Sequence, residues 1–246
     1  MNWPPDEICV LHVDDNSNFL DLTAKFVKAE NERFSVETTT NPEKGLEMVA
    51  DRTFDCIISD YDMPNTNGIE FLGRIRENNP RIPFILFTSK GIDTVGSDAI
   101  SAGITDYLQK GHKSSKYTLL TNRILNAVKR YESDKRRERW RQAIDAAADG
   151  VGIVSADGRY VQLNEAYASV FDTSKTDLAG TDWSEWYPDD QVRQFREEIF
   201  PELREKETWH GRVVGRRTDG TQFGQLLSLS LLKDGGHVFI IEEYEM

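Results

Sequence analysis

Four apolar runs, each closed by a polar residue, limit what this chain can fold into. Ile8, Cys9, Val10, Leu11, His12 and Val13 lead to Asp14 and Asp15, Phe54 to Ser59 leads to Asp60, a third run ends at Thr88, and a fourth ends at Lys110. Helical patterns lie between these runs, the alternation of a parallel sheet with helices on both faces and right-handed crossovers. In such a sheet the carboxyl ends of the strands share one rim, where ligands bind. Three carboxylates gathered there repel one another unless a cation sits between them, and hard oxygen ligands suit Mg²⁺. The cluster reads as a metal site built for phosphoryl chemistry.

The remaining pattern divides the chain in two, as its 246 residues allow. The first half gives five βα units: strands near Ile8 to Val13, Phe34 to Thr39, Phe54 to Ser59, Pro83 to Phe87 and Asp106 to Leu108. Helices follow them, including one near Asp93 to Ala102 and one from Tyr117 onward. Asn16 and Ser17 are candidate caps, and Asn41-Pro42 places Asn at a cap and Pro at the first helical position. Leu120, Ile124, Ala127 and Tyr131 make a heptad-like stripe that packs on the sheet or meets a partner helix. Charges then dominate Glu132 to Arg139 before Trp140, Ile144 and Ala147 resume the apolar face, which reads as a linker helix. Its basic residues, among them Lys129, Arg136 and Arg141, alternate with acids and read as a solvated face rather than a nucleic-acid surface.

After Asp149-Gly150 the punctuation changes. Val151 to Ser155 and Tyr160 to Leu163 flank the turn Asp157-Gly158, a helical middle carries Val192, Phe195 and Ile199 with Pro201 set to kink or restart it, and Arg212 to Arg217, Gln222 to Leu232 and His237 to Glu242 read as antiparallel strands. This half is α+β.

Composition narrows the function classes. A net charge of −12, with neither half basic, disfavours nucleic-acid binding, which needs cationic neutralisation of phosphates. Such a surface is solubilising and also fits a high-salt, haloarchaeal cytoplasm. Cys9 and Cys56 both lie in apolar runs, so no disulfide framework is indicated. Met1 to Glu7 lacks a secretory signal and no apolar run approaches the ~20 residues that span a bilayer. The expectation is a soluble, cytoplasmic protein.

With these residues in place, the first half closely resembles the receiver domain of two-component response regulators. The pieces that match are VDD (Val13 to Asp15), IISDYDMP (Ile57 to Pro64) with Gly68, FTS (Phe87 to Ser89) and YLQK (Tyr107 to Lys110). The resemblance implies a flavodoxin-like, five-stranded, doubly wound sheet over residues 7–131, with Asp60 as phosphoacceptor. It implies a Mg²⁺ site from Asp15, Asp60 and the backbone carbonyl of Asp62, with Asp14 assisting through water. Thr88 and Lys110 would contact phosphoryl oxygens, and Thr88 and Tyr107 would form the switch. Two features stand out: many receivers have Pro after the lysine where this chain has Gly111, and Lys90 could pair with Asp62 across the pocket mouth to restrict attacking water.

The second half resembles a PAS domain, assigned to residues 149–246 behind a helical linker at 132–148. DGVGIVSADGRYVQLNEAY (Asp149 to Tyr167), Ala179-Gly180, YPDD (Tyr187 to Asp190) and RTDGTQF (Arg217 to Phe223) carry the match, with Asn164 as the cap of the next helix. A flavin-cysteinyl chemistry is disfavoured because neither cysteine lies in this half, and a haem type because Asp189 to Glu207 holds no histidine. His210 and His237 read as structural or solvated, and Trp183, Trp186 and Trp209 as packing more than as a ligand pocket. The PAS ligand is left unknown.

Together these readings give a phosphorelay response regulator that accepts a phosphoryl group from a sensor histidine kinase and passes the signal to a PAS sensory or dimerisation module, with a homodimer through linker and PAS. Any catalysis would be limited to self-catalysed phosphotransfer and autodephosphorylation, since no kinase boxes are present. The competing readings are a non-catalytic PAS scaffold, the N-terminal part of a hybrid histidine kinase, and a haloacid-dehalogenase-like phosphatase using Asp60-Tyr61-Asp62.

Overall fold

The computed structural model describes residues 7–91, 99–111 and 113–244. The chain forms two compact units that divide between Arg136 and Arg137. In the first, β1 (Ile8–Val13), β2 (Phe34–Thr39), β3 (Cys56–Ser59), β4 (Phe84–Thr88) and β5 (Asp106–Gln109) make one sheet in the order β2-β1-β3-β4-β5, with every pair parallel. Every residue of β3 and β4 is buried, which is why both read as unbroken apolar runs instead of alternating ones. The helices are α1 (Ser17–Glu30), α2 (Pro42–Asp51), α3 (Gly68–Asn78) and α4 (Ser115–Asp145).

Two apolar layers cover the sheet. Val10, Ile58 and Ile85 pack with Val27 of α1 and with Leu120 and Ile124 of α4, while Leu11, Ile57 and Leu86 pack with Phe71, Leu72 and Ile75 of α3. Fully burying one such side chain is worth roughly 1.5–3 kcal/mol relative to exposing it. Local signals place the helix starts: Asn16, Asn41 and Asn67 each accept backbone N–H groups of the first turn, and Glu70 completes a capping box on Asn67. The helix expected near Asp93 to Ala102 falls largely outside the described residues, apart from a helical end at 99–101.

In the second unit β6 (Gly150–Val154), β7 (Tyr160–Leu163), β8 (Thr208–Arg216), β9 (Gln222–Leu231) and β10 (His237–Tyr244) form an antiparallel sheet in the order β7-β6-β10-β9-β8. Between β7 and β8 lie α5 (Glu165–Val170), α6 (Lys175–Leu178), a 3-10 turn (Trp183–Trp186), α7 (Asp189–Gln194), a π turn (Phe195–Ile199) and α8 (Phe200–Lys206). The hairpin turns at Gly158 and Gly220 require φ of +89° and +87°, which glycine adopts without a Cβ clash.

One of these elements differs from expectation in its bounds. β8 begins at Thr208 rather than Arg212, because Trp209, His210 and Gly211 pair with Leu229, Ser228 and Leu227 although they carry no apolar alternation. The helical middle restarts where Pro201 was expected to act: it widens over Phe195–Ile199, where the Phe200 N–H reaches the Phe195 carbonyl five residues back, and α8 begins with Pro201 in its first turn. Proline has no N–H to continue an ordinary ladder, and the wider turn accommodates its ring.

The core of this unit is aromatic. Trp183 is buried against Tyr187, Phe195 and Phe200, Trp186 donates through Nε1 to Thr181 Oγ1 at 2.8 Å, and Trp209 packs on the rim of the same core. All three tryptophans thus pack with the aromatic core. Among the described residues no helix is long and apolar enough to cross a membrane.

Candidate functional site

The strand order 2-1-3-4-5 reverses direction between β1 and β3, and in sheets of this kind ligands bind outside the carboxyl ends of the strands at that reversal. Asp14 and Asp15 follow β1 directly, and Asp60 follows β3. The ladder extends one residue past the strands: the Asp14 N–H donates to the Thr39 carbonyl at 3.2 Å, the Asp60 N–H to Val13 at 2.9 Å and the Lys110 N–H to Thr88 at 2.7 Å. The sheet register itself therefore aligns the polar residues along one rim.

There, carboxylate oxygens of Asp14, Asp15 and Asp60 lie within 4.8 Å of one another. Asp14 is wholly buried, Asp60 is 6% exposed and Asp15 faces solvent. Lys110 Nζ lies 2.6 Å from Asp14 Oδ2 and 2.6 Å from Asp60 Oδ2, and 4.5 Å from the centre of the Phe19 ring. One ammonium thus bridges two nearly buried carboxylates against an aromatic wall. Burial pushes the Asp14 carboxyl above its usual range, opposed by its hydrogen bond from Lys110. Three hard oxygen donors beside an open rim suit a divalent cation of the Mg²⁺ class, with Asp15 the donor most accessible to it.

The other expected residues surround this cluster. Thr88 is fully buried and its Oγ1 accepts the Lys90 N–H at 3.3 Å. Asp62 lies outside the three-acid cluster, and its carboxylate is engaged by Lys90 Nζ at 3.0 Å. The Tyr107 hydroxyl donates to the Lys90 carbonyl. Lys90 therefore connects Asp62, Thr88 and Tyr107 at the mouth. Asp60 follows the third strand, and Asp62, the second acid of the Asp-x-Asp reading, is paired with Lys90 outside the cluster.

The sequence named Gly68 and Asn16 without their full roles at the site, and it did not single out Phe19 or His12. The reason for Gly68 is steric: a Cβ there would overlap the Asp60 carbonyl oxygen, where the loop after β3 returns to start α3. Asn16 caps α1 and also donates its N–H to Asp14 Oδ1 at 3.0 Å, orienting that carboxylate. Phe19 and His12 line the inner wall, and a histidine inside an apolar run two residues before an acid was the available signal.

Comparison with known proteins agrees with this arrangement. Residues 10–121 match the family model of the response regulator receiver domain, and residues 144–244 match that of the PAS fold. The chain carries a receiver domain followed by a PAS domain. The receiver domain is homologous to those of response regulators: response regulator SaeR of Staphylococcus aureus is 27% identical over 122 residues, which is 50% of this chain and 52% of SaeR. The chain thus spans about half the length of the curated relatives it matches. Similar solved structures include a receiver domain protein of Clostridium thermocellum, with 24% identity and a TM-score of 0.46, covering 51% of this chain and 97% of that one. Another is the PAS domain of a LuxR-family transcriptional regulator of Burkholderia thailandensis in complex with ethanol, with 19% identity and a TM-score of 0.40, covering 42% and 96%.

In the PAS domain the polar groups are turned inward on one another. The Tyr160 and Tyr167 hydroxyls meet at 2.9 Å, and the Tyr187 hydroxyl donates to Gln225 Oε1 at 3.1 Å. His210 meets Ser228 Oγ at 2.9 Å on the exposed face, and His237 packs against Phe200. On α4 the basic residues have acids one turn away, with Arg141 2.8 Å from Glu138 and 3.2 Å from Asp145, and Lys135 3.8 Å from Glu132. These pairs describe a solvated face.

Proposed function

We propose that Asp60 accepts a phosphoryl group from the phosphohistidine of a sensor histidine kinase, and that this chain acts as a phosphorylation-controlled response regulator. The observation that carries the reading is the Lys110 ammonium set 2.6 Å from both Asp60 and Asp14 within a three-carboxylate cluster at the sheet's switch point. An Asp60 oxygen forms the new bond to phosphorus as the phosphorus–nitrogen bond of the donor breaks, yielding an acyl phosphate and free imidazole. Asp15, Asp60 and the Asp62 carbonyl would hold Mg²⁺, with Asp14 acting through water; the ion neutralises charge on the transferring group. Lys110 shifts from Asp14 to a phosphoryl oxygen, and Thr88 donates its hydroxyl to another.

The added charge biases a two-state element. Drawing Thr88 toward the phosphoryl group pulls on the Lys90 backbone, and Tyr107, whose hydroxyl is held by the Lys90 carbonyl, turns inward. Residues 132–148 then serve as the linker to a PAS module, residues 149–246, that senses or dimerises, with a homodimer formed through linker and PAS in a cytoplasmic phosphorelay.

The test is Mg²⁺-dependent labelling with acetyl phosphate, read by intact mass. Wild type gains one phosphoryl group and Asp60→Asn gains none; a label retained in Asp60→Asn removes Asp60 from the role. Light scattering of the labelled protein reads the dimer, and a monomer mass with and without label would exclude it.

The Lys90–Asp62 pair gives a second expectation. Spanning 3.0 Å between two half-exposed side chains, it would restrict the approach of water to Asp60. Exposed pairs are weak, so Lys90→Ala should shorten the acyl-phosphate lifetime only by roughly threefold. Decay of the labelled mass over time measures this, and an unchanged lifetime would leave the pair without a shielding role.

A further inference from the structure

His12 lies on β1 two residues before Asp14, so both side chains face the same side of the sheet. It is fully buried, and neither ring nitrogen has a hydrogen-bond partner. Phe19 and Phe87 enclose it, with ring centroids at 6.2 and 6.4 Å. The neutral imidazole carries one N–H, which finds no acceptor within hydrogen-bond distance in this enclosure. An aliphatic residue would fill this position without stranding polar atoms, as Val10 and Ile8 do on the same face of the strand. A buried donor without a partner calls for a physical reason.

The acceptor at hand is Asp14 Oδ2, 3.9 Å from His12 Nε2. The other Asp14 oxygen already accepts the Asn16 N–H. Oδ2 depends on Lys110, which Asp60 shares at the same 2.6 Å distance. Any event that draws Lys110 toward Asp60 leaves a buried carboxylate oxygen facing a buried, unused N–H.

We propose that His12 is a positioning residue for Asp14: when Lys110 moves to a group on Asp60, the His12 Nε2–H closes on Asp14 Oδ2 and holds that carboxylate against the cation site. The proposal rests on the phosphorylation reading above. Carboxylates at metal centres are generally oriented by such outer partners, whose loss weakens binding by about 10–100-fold. Here the partner would engage only in the loaded state. The ammonium's departure then costs the site little, because a second donor stands ready.

The experiment uses the full chain with Mg²⁺ and beryllofluoride as the probe. Binding is measured by calorimetry, and nitrogen-15 NMR of the histidine ring follows His12, assigned through His12→Gln. In wild type, adding the probe should bring up a downfield, hydrogen-bonded Nε2 proton at His12. His12→Leu should unfold at higher temperature, since it removes stranded polar atoms, yet bind beryllofluoride about tenfold more weakly. His12→Gln, which keeps an N–H donor, should recover most of that affinity. Wild-type affinity in His12→Leu, or a His12 signal unmoved while the probe binds, would overturn the proposal. The glutamine variant and the NMR signal decide the matter should the leucine variant fail to fold. A wild type that binds no beryllofluoride would overturn the phosphorylation reading and this inference with it, whereas normal binding with a silent His12 overturns the inference alone.

Discussion

Lys110→Met should lose about 3–5 kcal/mol of stability at pH 8 and should not be labelled by acetyl phosphate. The methionine keeps most of the apolar stem that packs on Phe19 and removes only the charge. Asp14 and Asp60, both nearly buried, would then face each other without the ammonium that lies 2.6 Å from each. Removing one partner of a buried ion pair costs more than the pair contributes, because the remaining charge keeps its desolvation penalty. The pH dependence has a definite sign. Burial already raises the Asp14 carboxyl pKa, and Lys110 opposes that rise, so its loss raises the pKa further. An acid with a native pKa above its unfolded one binds its proton more tightly when folded, so stability is gained as pH falls through the native value and lost as pH rises through it. The deficit of Lys110→Met should be largest at alkaline pH and shrink on acidification. Denaturation of wild type, Lys110→Met, Asp14→Asn and the double variant at pH 8 and pH 5 closes a cycle, and the double variant should recover most of the loss. Added Mg²⁺ should recover part of it in the single variant, since it binds the folded cluster and not the unfolded chain. An equal loss at both pH values, with no recovery in the double variant, would assign the effect to packing.

Much of this site was legible in the sequence because a parallel strand buried on both faces is an apolar run, and the first polar residue after it marks the rim. Asp14, Asp60, Thr88 and Lys110 were found that way, and Asn41-Pro42 located α2 through cap chemistry that acts over three residues. What the sequence hid was set by distance in space. His12 reads as one more member of an apolar run until Phe19 and Phe87 close around it. The sharing of Lys110 between two acids depends on the β1–β3 pairing, and the link from Tyr107 to Lys90 joins residues 17 apart in the chain. In the PAS domain β8 starts earlier than its residue pattern suggests, because pairing with β9 rather than apolar alternation sets its length. Where a feature is fixed by neighbours within a helical turn or by a strand's own burial, composition shows it; where it is fixed by pairing across the sheet, only the register does.

Asn164 illustrates the same division and carries the second large effect. Its place before α5 marks it as a cap, and its Oδ1 does accept the Tyr167 N–H at 2.9 Å. The fold also turns its other bonds outward along the chain: Oδ1 accepts the Val151 N–H at 2.9 Å, and Nδ2 donates to the Asp149 carbonyl at 2.9 Å and to the Ile144 carbonyl at 3.0 Å. This fully buried amide thus satisfies one group at the end of α4, one in the turn that follows, one at the start of β6 and one in α5. Alanine would strand three of them, since the Ile144 carbonyl keeps the Ala147 N–H. A lost cap alone costs about 1 kcal/mol and each further unsatisfied buried group about 1–3, so Asn164→Ala should destabilise the PAS domain by roughly 3–5 kcal/mol. Asn164→Asp separates the parts of the effect: it keeps both acceptor contacts, loses both donor contacts and adds a charge near two carbonyl oxygens. It should therefore be no more stable than the alanine variant at neutral pH and should improve on acidification, when the protonated carboxyl regains one donor. Hydrogen exchange locates the damage, with the α5 and β6 amides and the C-terminal end of α4 losing protection together. Loss confined to the first turn of α5 would reduce Asn164 to an ordinary helix cap.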